Sequence, residues 1–369
     1  MVSATQEDRA MIREAARGFL ADAATGANTR RWMASDLGYD PEIWARVAGE
    51  LGWPGVPVSE DYGGLGLGLG ETTLLMEEMG AAVFCSPFFA TVCLAGAAIR
   101  LAGDPVQQAE FLPAIASGEL TATLVASQGP VGLDYRRDGD AYVLNGVQRF
   151  VVDGASADLL VVAARLSGSE AVTLFAVSGD SPGIMRTLLP TLDQTRRQAE
   201  IIFTNLRLSA DRLLGAEGES APVLARVFDE AVTALAAEQA GGARRCLELT
   251  VDYIKERVQF GRPIGSFQAI KHRCADMMVQ VESALAAARA AADAADAGDS
   301  DFPLLASMAK AYCSDAYFAC AGEAIQLHGG VGFTWDYEPH LFFKRARASA
   351  EMLGNANYHR ERVAAGLGL

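Results

Sequence analysis

Hydrophobic periodicity changes twice along the chain, and that alternation constrains the fold more than any single motif. Up to about residue 117, apolar residues recur at helical spacing, as in "PEIWARVAGELGW" and "ETTLLMEEMGAAVF", with Pro and Gly between segments. From about 118 to 215 the pattern becomes short β-branched runs, "RFVVDG", "DLLVVAAR", "VTLFAVSG" and "AEIIFTNLRL", separated by D-G, N-G and S-G turn signals. Helical spacing returns from about 220 in long stretches, including the alanine-rich "ALAAARAAADAADAGDS". The expected architecture is α+β in three parts: a helical domain over 1–117, an antiparallel β-domain over 118–215 and a helical domain over 216–369. A chain of 369 residues is long enough to fill several packed regions.

Charge and composition narrow the partners. With 31 basic against 46 acidic residues the net charge is −15, which opposes broad contact with nucleic acid or anionic lipid. The opening "MVSATQEDRAMIREAARGF" has acidic residues and no apolar core, and no run of about 18 uncharged apolar residues follows, so a soluble, untargeted, cytoplasmic protein is expected. Six cysteines at 85, 93, 246, 274, 313 and 320 lack CxxC spacing and read as buried thiols in a reducing compartment. His272, His328, His340 and His359 show no HExxH spacing, and no G-x-S-x-G elbow occurs, so neither a metal centre nor a serine nucleophile is expected. "GGLGLGLGET" at 63–72 imitates a dinucleotide loop, but no strand precedes it and no lysine follows, so it reads as an interhelical loop.

One stretch concentrates chemistry. "YIKERVQFGRPIGSFQAIKH" at 253–272 combines Arg257, whose planar fork matches phosphate oxygens, with Phe260, able to cover a ring, and with glycines that admit close backbone approach. That set suits a nucleotide diphosphate. "EAIQLHGGVGFTWDYEPH" supplies Gln326 near the end of a helical run and then Gly329-Gly330, a turn able to offer backbone donors to an anion. Arg257 as an ordinary surface ion pair and Gly329-Gly330 as a plain helix stop are the alternatives.

Together, "YIKERVQFGRPIGSFQAIKHRCADM", "QLHGGVGFTWDYEPHLFFKRA" and "EDYGGLGLG", in a helical, β, helical order, resemble the acyl-CoA dehydrogenase family. The resemblance implies an N-terminal helical domain, a middle antiparallel β-domain and a C-terminal four-helix bundle, assembled as a tetramer of two dimers with each FAD between two subunits. It implies that Arg257, Phe260, Gln268, Gln326, Gly329 and Gly330 reach across the dimer interface to a neighbour's FAD. The family's reaction has a glutamate remove the proton α to a thioester carbonyl while the β-hydride passes to flavin, giving a trans-2-enoyl-CoA, with electrons generally handed to electron-transferring flavoprotein.

Measured against that pattern, the chain lacks the expected base. The usual glutamate position falls on Leu353 in "AEMLGNANYHR", and the alternative used by some members falls on Ala231. The flavin and pantetheine loop TExxxGSD is replaced by "TLVASQGPVGLDYRRDGD", where only Ser127 could stand in for the threonine, and the W-I-T/S segment appears as Phe150-Val151-Val152, without the hydroxyl.

The losses fall on groups that a subunit offers to its own FAD, and the retained groups are those it extends to a neighbour. The leading expectation is a non-catalytic subunit of a heterotetramer that completes a partner's FAD site. A self-sufficient homotetramer using a displaced glutamate is the runner-up. Its candidates are Glu230, read as lying on a solvated face, and Glu238, read as lining an interhelical seam. A non-redox CoA-thioester scaffold is the third reading, and it gives no reason to keep Arg257, Phe260, Gln268 and Gln326 as a set.

Overall fold

The computed structural model describes residues 5–127 and 131–369. In chain order the helices are α1 (Gln6–Ala23), α2 (Gly26–Ala34), α3 (Pro41–Gly49), α4 (Leu69–Ala81), α5 (Ala97–Ala102), α6 (Pro105–Ala116), α7 (Ala221–Glu256), α8 (Gln268–Ala297), α9 (Phe302–His328), α10 (Pro339–Glu351) and α11 (Ala356–Gly366). Strands β1 (Ala122–Val125), β2 (Leu133–Asp138), β3 (Ala141–Val152), β4 (Leu159–Leu166), β5 (Val172–Ser178), β6 (Ile184–Leu188), β7 (Gln198–Leu208) and β8 (Leu213–Leu214) lie between α6 and α7. A small hairpin of β9 (Val258–Gln259) and β10 (Arg262–Pro263) follows α7. The helical, β, helical order read from periodicity is the order observed. Contacts divide the chain into two compact units that cut across that order, one holding residues 32–68 and 85–231, the other the remaining helical segments.

In the first unit the strands form one sheet in the order β6-β7-β3-β2-β4-β5-β8, with β1 added beside β4. Most pairings are antiparallel, as the turn signals suggest. β4, however, pairs in parallel with β1 through Leu159–Val162 and with β2 through Arg165 and Leu166. Turn residues report only hairpins, so a pairing made across a long connection leaves no local trace. The buried face carries Leu160, Val162, Phe175, Ile201 and Phe203, closed by the Tyr135, Tyr142 and Phe175 rings with centroids 5.1–5.8 Å apart. Helices begin where the sequence supplies caps: Asp40 accepts from the Glu42 amide ahead of Pro41, and Asp104 with Gln107 closes a reciprocal box at α6.

The second unit is helical, and α4, α7, α8, α9 and α10 supply most of its buried surface. α4 and α7 cross at backbone contact. A Cβ on Gly80 would fall 2.0 Å from the Glu238 carbonyl, and one on Gly241 would fall 1.8 Å from that of Glu77, so neither position admits a side chain. α8 ends at Gly298 with φ +66, a glycine stop. No helix among the described residues is long and apolar enough to cross a membrane. No group of His, Cys, Asp and Glu among them could hold a metal ion.

Candidate functional site

The tip of the hairpin after α7 is built to present one ring. Phe260 and Gly261 both have positive φ, +53 and +77, the geometry of a two-residue turn whose twist matches its strands. Glycine takes that conformation freely, whereas a bulky L residue there is strained by about 1–2 kcal/mol. Phe260 is nevertheless 91% exposed. Its edge meets Phe267 at 6.2 Å, and the Arg262 guanidinium stands 4.1 Å over the Phe267 ring, so the hairpin is braced from behind. Arg257 sits at the root, its amide donating to the Tyr253 carbonyl at 2.9 Å and its carbonyl accepting from Ile264 at 2.8 Å. Its side chain is exposed, with no ion pair among the described residues.

A stack of rings brings the second motif alongside. The Tyr253 and His328 rings lie 4.3 Å apart with planes 22° from parallel, and Tyr337 meets both edge-on at 6.2 and 6.3 Å. Burial lowers the His328 pKa, and its Nδ1 is 2.7 Å from the Ala324 carbonyl, so the ring acts as a neutral brace. Nearby, Arg273 on α8 pairs with Glu323 on α9. Gln268 opens α8, and Gln326 lies in the last turn of α9. Arg257, Phe260, Gln268, Gln326, Gly329 and Gly330 are thereby gathered at one end of the helical unit, all exposed. Gly329 has φ +64 and open space where a Cβ would point. Its amide donates to the Gln326 carbonyl, so of the backbone donors the turn could offer to an anion, that of Gly329 is already engaged. The Tyr253–His328–Tyr337 stack escaped sequence reasoning because His328 was weighed only as a metal ligand.

Neither position that the resemblance assigns to the base carries a side chain that can accept a proton. Ala231 is completely buried on α7. Leu353 follows the end of α10 at φ +53, its carbonyl accepts from His359 Nε2 at 2.8 Å, and its side chain packs on the cluster of Val232, Phe302 and Ala306. The two nearby glutamates are otherwise engaged. Glu230 is 7% exposed and held by Arg100 and, at 2.9 Å, by Arg226, which corrects the reading of a solvated face. Its neighbours are what the helix periodicity alone could not show. Glu238 does line an interior seam and pairs with Arg345 at 3.0 Å, both side chains nearly inaccessible. Protonating Glu238 would leave the buried Arg345 guanidinium uncompensated, whereas the Arg100 and Arg226 partners of Glu230 are partly exposed.

In the first unit, Phe150 projects from an irregularity in β3, 67% exposed with φ +59. Val151 and Val152 are buried, and the Val152 carbonyl accepts from Thr123 Oγ1 at 2.6 Å. An aromatic body is present with no hydroxyl beside it. Ser127 is partly buried at the start of the replaced loop, whose residues 128–130 lie outside the described residues.

Residues 6–119 match the acyl-CoA dehydrogenase N-terminal domain and residues 221–368 its C-terminal domain. The acyl-CoA dehydrogenase IpdE2 of Mycobacterium tuberculosis is 38% identical over 347 residues, covering 94% of this chain and 93% of that protein. Among solved structures, a variant of the Tcur3481-Tcur3483 steroid ACAD superposes with a TM-score of 0.89 at 30% identity, covering 98% of each chain. Butyryl-CoA dehydrogenase from Megasphaera elsdenii superposes with a TM-score of 0.90 at 25% identity over 100% of each chain. Matched over nearly its whole length in sequence and in fold, the chain belongs to the acyl-CoA dehydrogenase family, the FAD-dependent oxidoreductases that act on acyl-CoA.

Proposed function

We propose that this chain is the base-lacking subunit of a hetero-oligomeric acyl-CoA dehydrogenase, completing the FAD site of a partner subunit that abstracts the proton. One observation supports the reading most: the two positions that the family pattern assigns to the base hold Leu353 and Ala231, while Arg257, Phe260, Gln268 and Gln326 stand exposed together. Those exposed residues fit a dinucleotide. The Arg257 fork takes a diphosphate oxygen pair, the Phe260 ring covers a flat heterocycle, the Gln268 and Gln326 amides offer donors and acceptors, and Gly329 leaves room for close approach. Bound FAD supplies the hydride acceptor. The chain's own β-domain fits less well, because buried Val152 offers no hydroxyl to a flavin heteroatom, a loss worth about 1–3 kcal/mol. Ser127 and Phe150 are the residues it could still lend to a flavin.

The proposed substrate is a CoA thioester with a bulky, steroid-derived acyl group, a reading supported by similarity to a steroid ACAD at 30% identity. Electron-transferring flavoprotein is the proposed acceptor, and the cytoplasm the proposed setting.

Co-expression with an acyl-CoA dehydrogenase encoded beside this gene, followed by flavin counting, tests the proposal. The expected product is a complex with one flavin per pair of chains, and little flavin on this chain alone. A self-assembled form with a flavin on every chain that oxidises acyl-CoA unaided would overturn it, and a complex free of flavin would favour the scaffold reading.

A further inference from the structure

α1 combines a row of ion pairs to the helical unit with little buried apolar surface. Of its 18 residues only Ala16, Leu20 and Ala23 are buried, whereas the helix beneath it, α4, is buried throughout Gly70–Gly80. The attachment is a ladder. Arg9, Arg13 and Arg17 recur every four residues on one face of α1 and meet the buried carboxylates of α4: Arg9 with Glu71 at 2.8 Å, Arg13 with Glu77 at 3.3 Å and Glu78 at 3.2 Å, and Arg17 with Glu78 at 2.9 Å. Arg9 also reaches Asp293 on α8 at 3.3 Å.

Apolar packing under this helix is interrupted on both sides of the ladder. Beneath its first half lies a cavity of about 360 Å³ that Arg9, Arg13 and Glu77 share with Leu74, Ala240 and Ala288. Beneath its second half lies one of about 570 Å³ that Arg17 and Glu78 share with Leu20, Val83, Leu341 and Phe342. The Arg13–Glu78 and Arg17–Glu78 rungs stand between the two. Removing α1 would not strand Glu77 or Glu78, since Arg244 lies 2.8 Å from Glu78 and 3.9 Å from Glu77, and Arg289 lies 3.6 Å from Glu77. A pivot is present as well: Ala24, at φ −97 and ψ 46, leaves the helix, and α2 starts two residues later at Gly26.

We propose that α1 is a charge-latched strap, which lifts from α4 as one unit while α4, α7, α8 and α9 remain folded, and which on lifting joins the two cavities into one groove along α4 and α7. The groove it uncovers has apolar walls and an acidic row, Glu71, Glu77 and Glu78. The proposal is independent of where the flavin binds.

Hydrogen exchange on the full chain, or on its complex, reads the strap directly. Raising NaCl from about 0.1 M to about 1 M, which shortens the screening length severalfold, is expected to speed exchange of the α1 amides together by about tenfold while α4 and α7 keep their protection. The double variant Arg13→Gln/Arg17→Gln is expected to show the same selective loss without added salt, and Arg13→Lys/Arg17→Lys to restore part of it. Exchange of α1 at the rate of α7 under every salt condition would overturn the proposal, and so would α1 and α4 opening together. Should the double variant fail to fold, the salt series on the unaltered protein decides between the same outcomes.

Discussion

Tyr253 and His328 stack at 4.3 Å, and this contact holds the end of α7 against the end of α9. The exposed residues of two sequence motifs, some 60 positions apart, thereby share one surface. Replacing Tyr253 with Leu removes the stack but keeps an apolar body. The expected stability loss is small, about 0.5–1.5 kcal/mol. Flavin retention in the co-expressed complex should fall more than that loss explains, because Arg257 and Gln326 no longer keep a fixed spacing. Melting curves and flavin absorbance on the same preparation separate the two effects.

Arg257 itself should matter through its fork. Arg257→Ala is expected to weaken flavin retention by the partner by about 10- to 100-fold, the equivalent of a lost charged hydrogen bond of about 1.5–3 kcal/mol. Arg257→Lys should recover only part of it, since an ammonium keeps the charge and loses the planar pair of donors. Equilibrium dialysis of FAD against the complex measures both. Unchanged occupancy in the alanine variant would remove Arg257 from the cofactor site.

Glu238 and Arg345 form a buried pair, and breaking one partner is expected to cost about 3–5 kcal/mol. Glu238→Gln should therefore lower the unfolding free energy while leaving the turnover of the folded complex near that of the unaltered protein. The double variant Glu238→Gln/Arg345→Met should lose less than the two single losses added together. A Glu238→Gln complex that folds normally and is inactive would instead identify Glu238 as the base. Glu230→Gln, measured in parallel, should cost less than Glu238→Gln, because Arg100 and Arg226 stay partly solvated.

Lys310 gives stability a distinctive dependence on pH. It is completely buried on α9, where its Nζ donates to Ser314 Oγ at 2.9 Å and to the Ser349 and Ala350 carbonyls at 3.1 and 3.2 Å. Burial lowers its pKa from 10.5 to about 8. Below pH 8 the amine is protonated folded or unfolded, and the folded state bears the full cost of the buried charge. Between pH 8 and 10.5 the folded state sheds its proton first, so this group adds about 3 kcal/mol of stability across that window. Denaturant titrations of the unaltered protein and of Lys310→Met at both ends of the window should differ by that slope. Parallel curves would show that Lys310 does not titrate there. At the acid end, burial lowers the His359 pKa to about 4, so stability should fall as pH drops from 6.5 toward 4.

The order of helical and β regions was legible because periodicity is a local property of the chain, and so were the two motifs whose exposed residues lie at one end of the helical unit. The parallel partners of β4 were not, since a strand records in its own sequence that it is paired but not the direction of a distant neighbour. The state of Glu230 was hidden for the same reason. Helix geometry gives its angle on α7, but Arg100 lies 130 residues away. Leu353 and Ala231 were readable at once, because an absent carboxylate needs no structure to be seen. The grouping of α1 and α4 with the later helices had no sequence signal except the four-residue spacing of Arg9, Arg13 and Arg17, which in isolation suggests only a solvated face.

The hairpin that displays Phe260 bears on how, under the proposed reading, the chain would find a partner. Phe260 is the most exposed of several surface rings, Phe150, Phe333 and Trp335 among them, on a chain of net charge −15. Copies of the free chain would repel one another through that charge, while a surface shaped to receive an exposed ring could still capture it, so under the proposed reading Phe260 would also bias which assembly gets built.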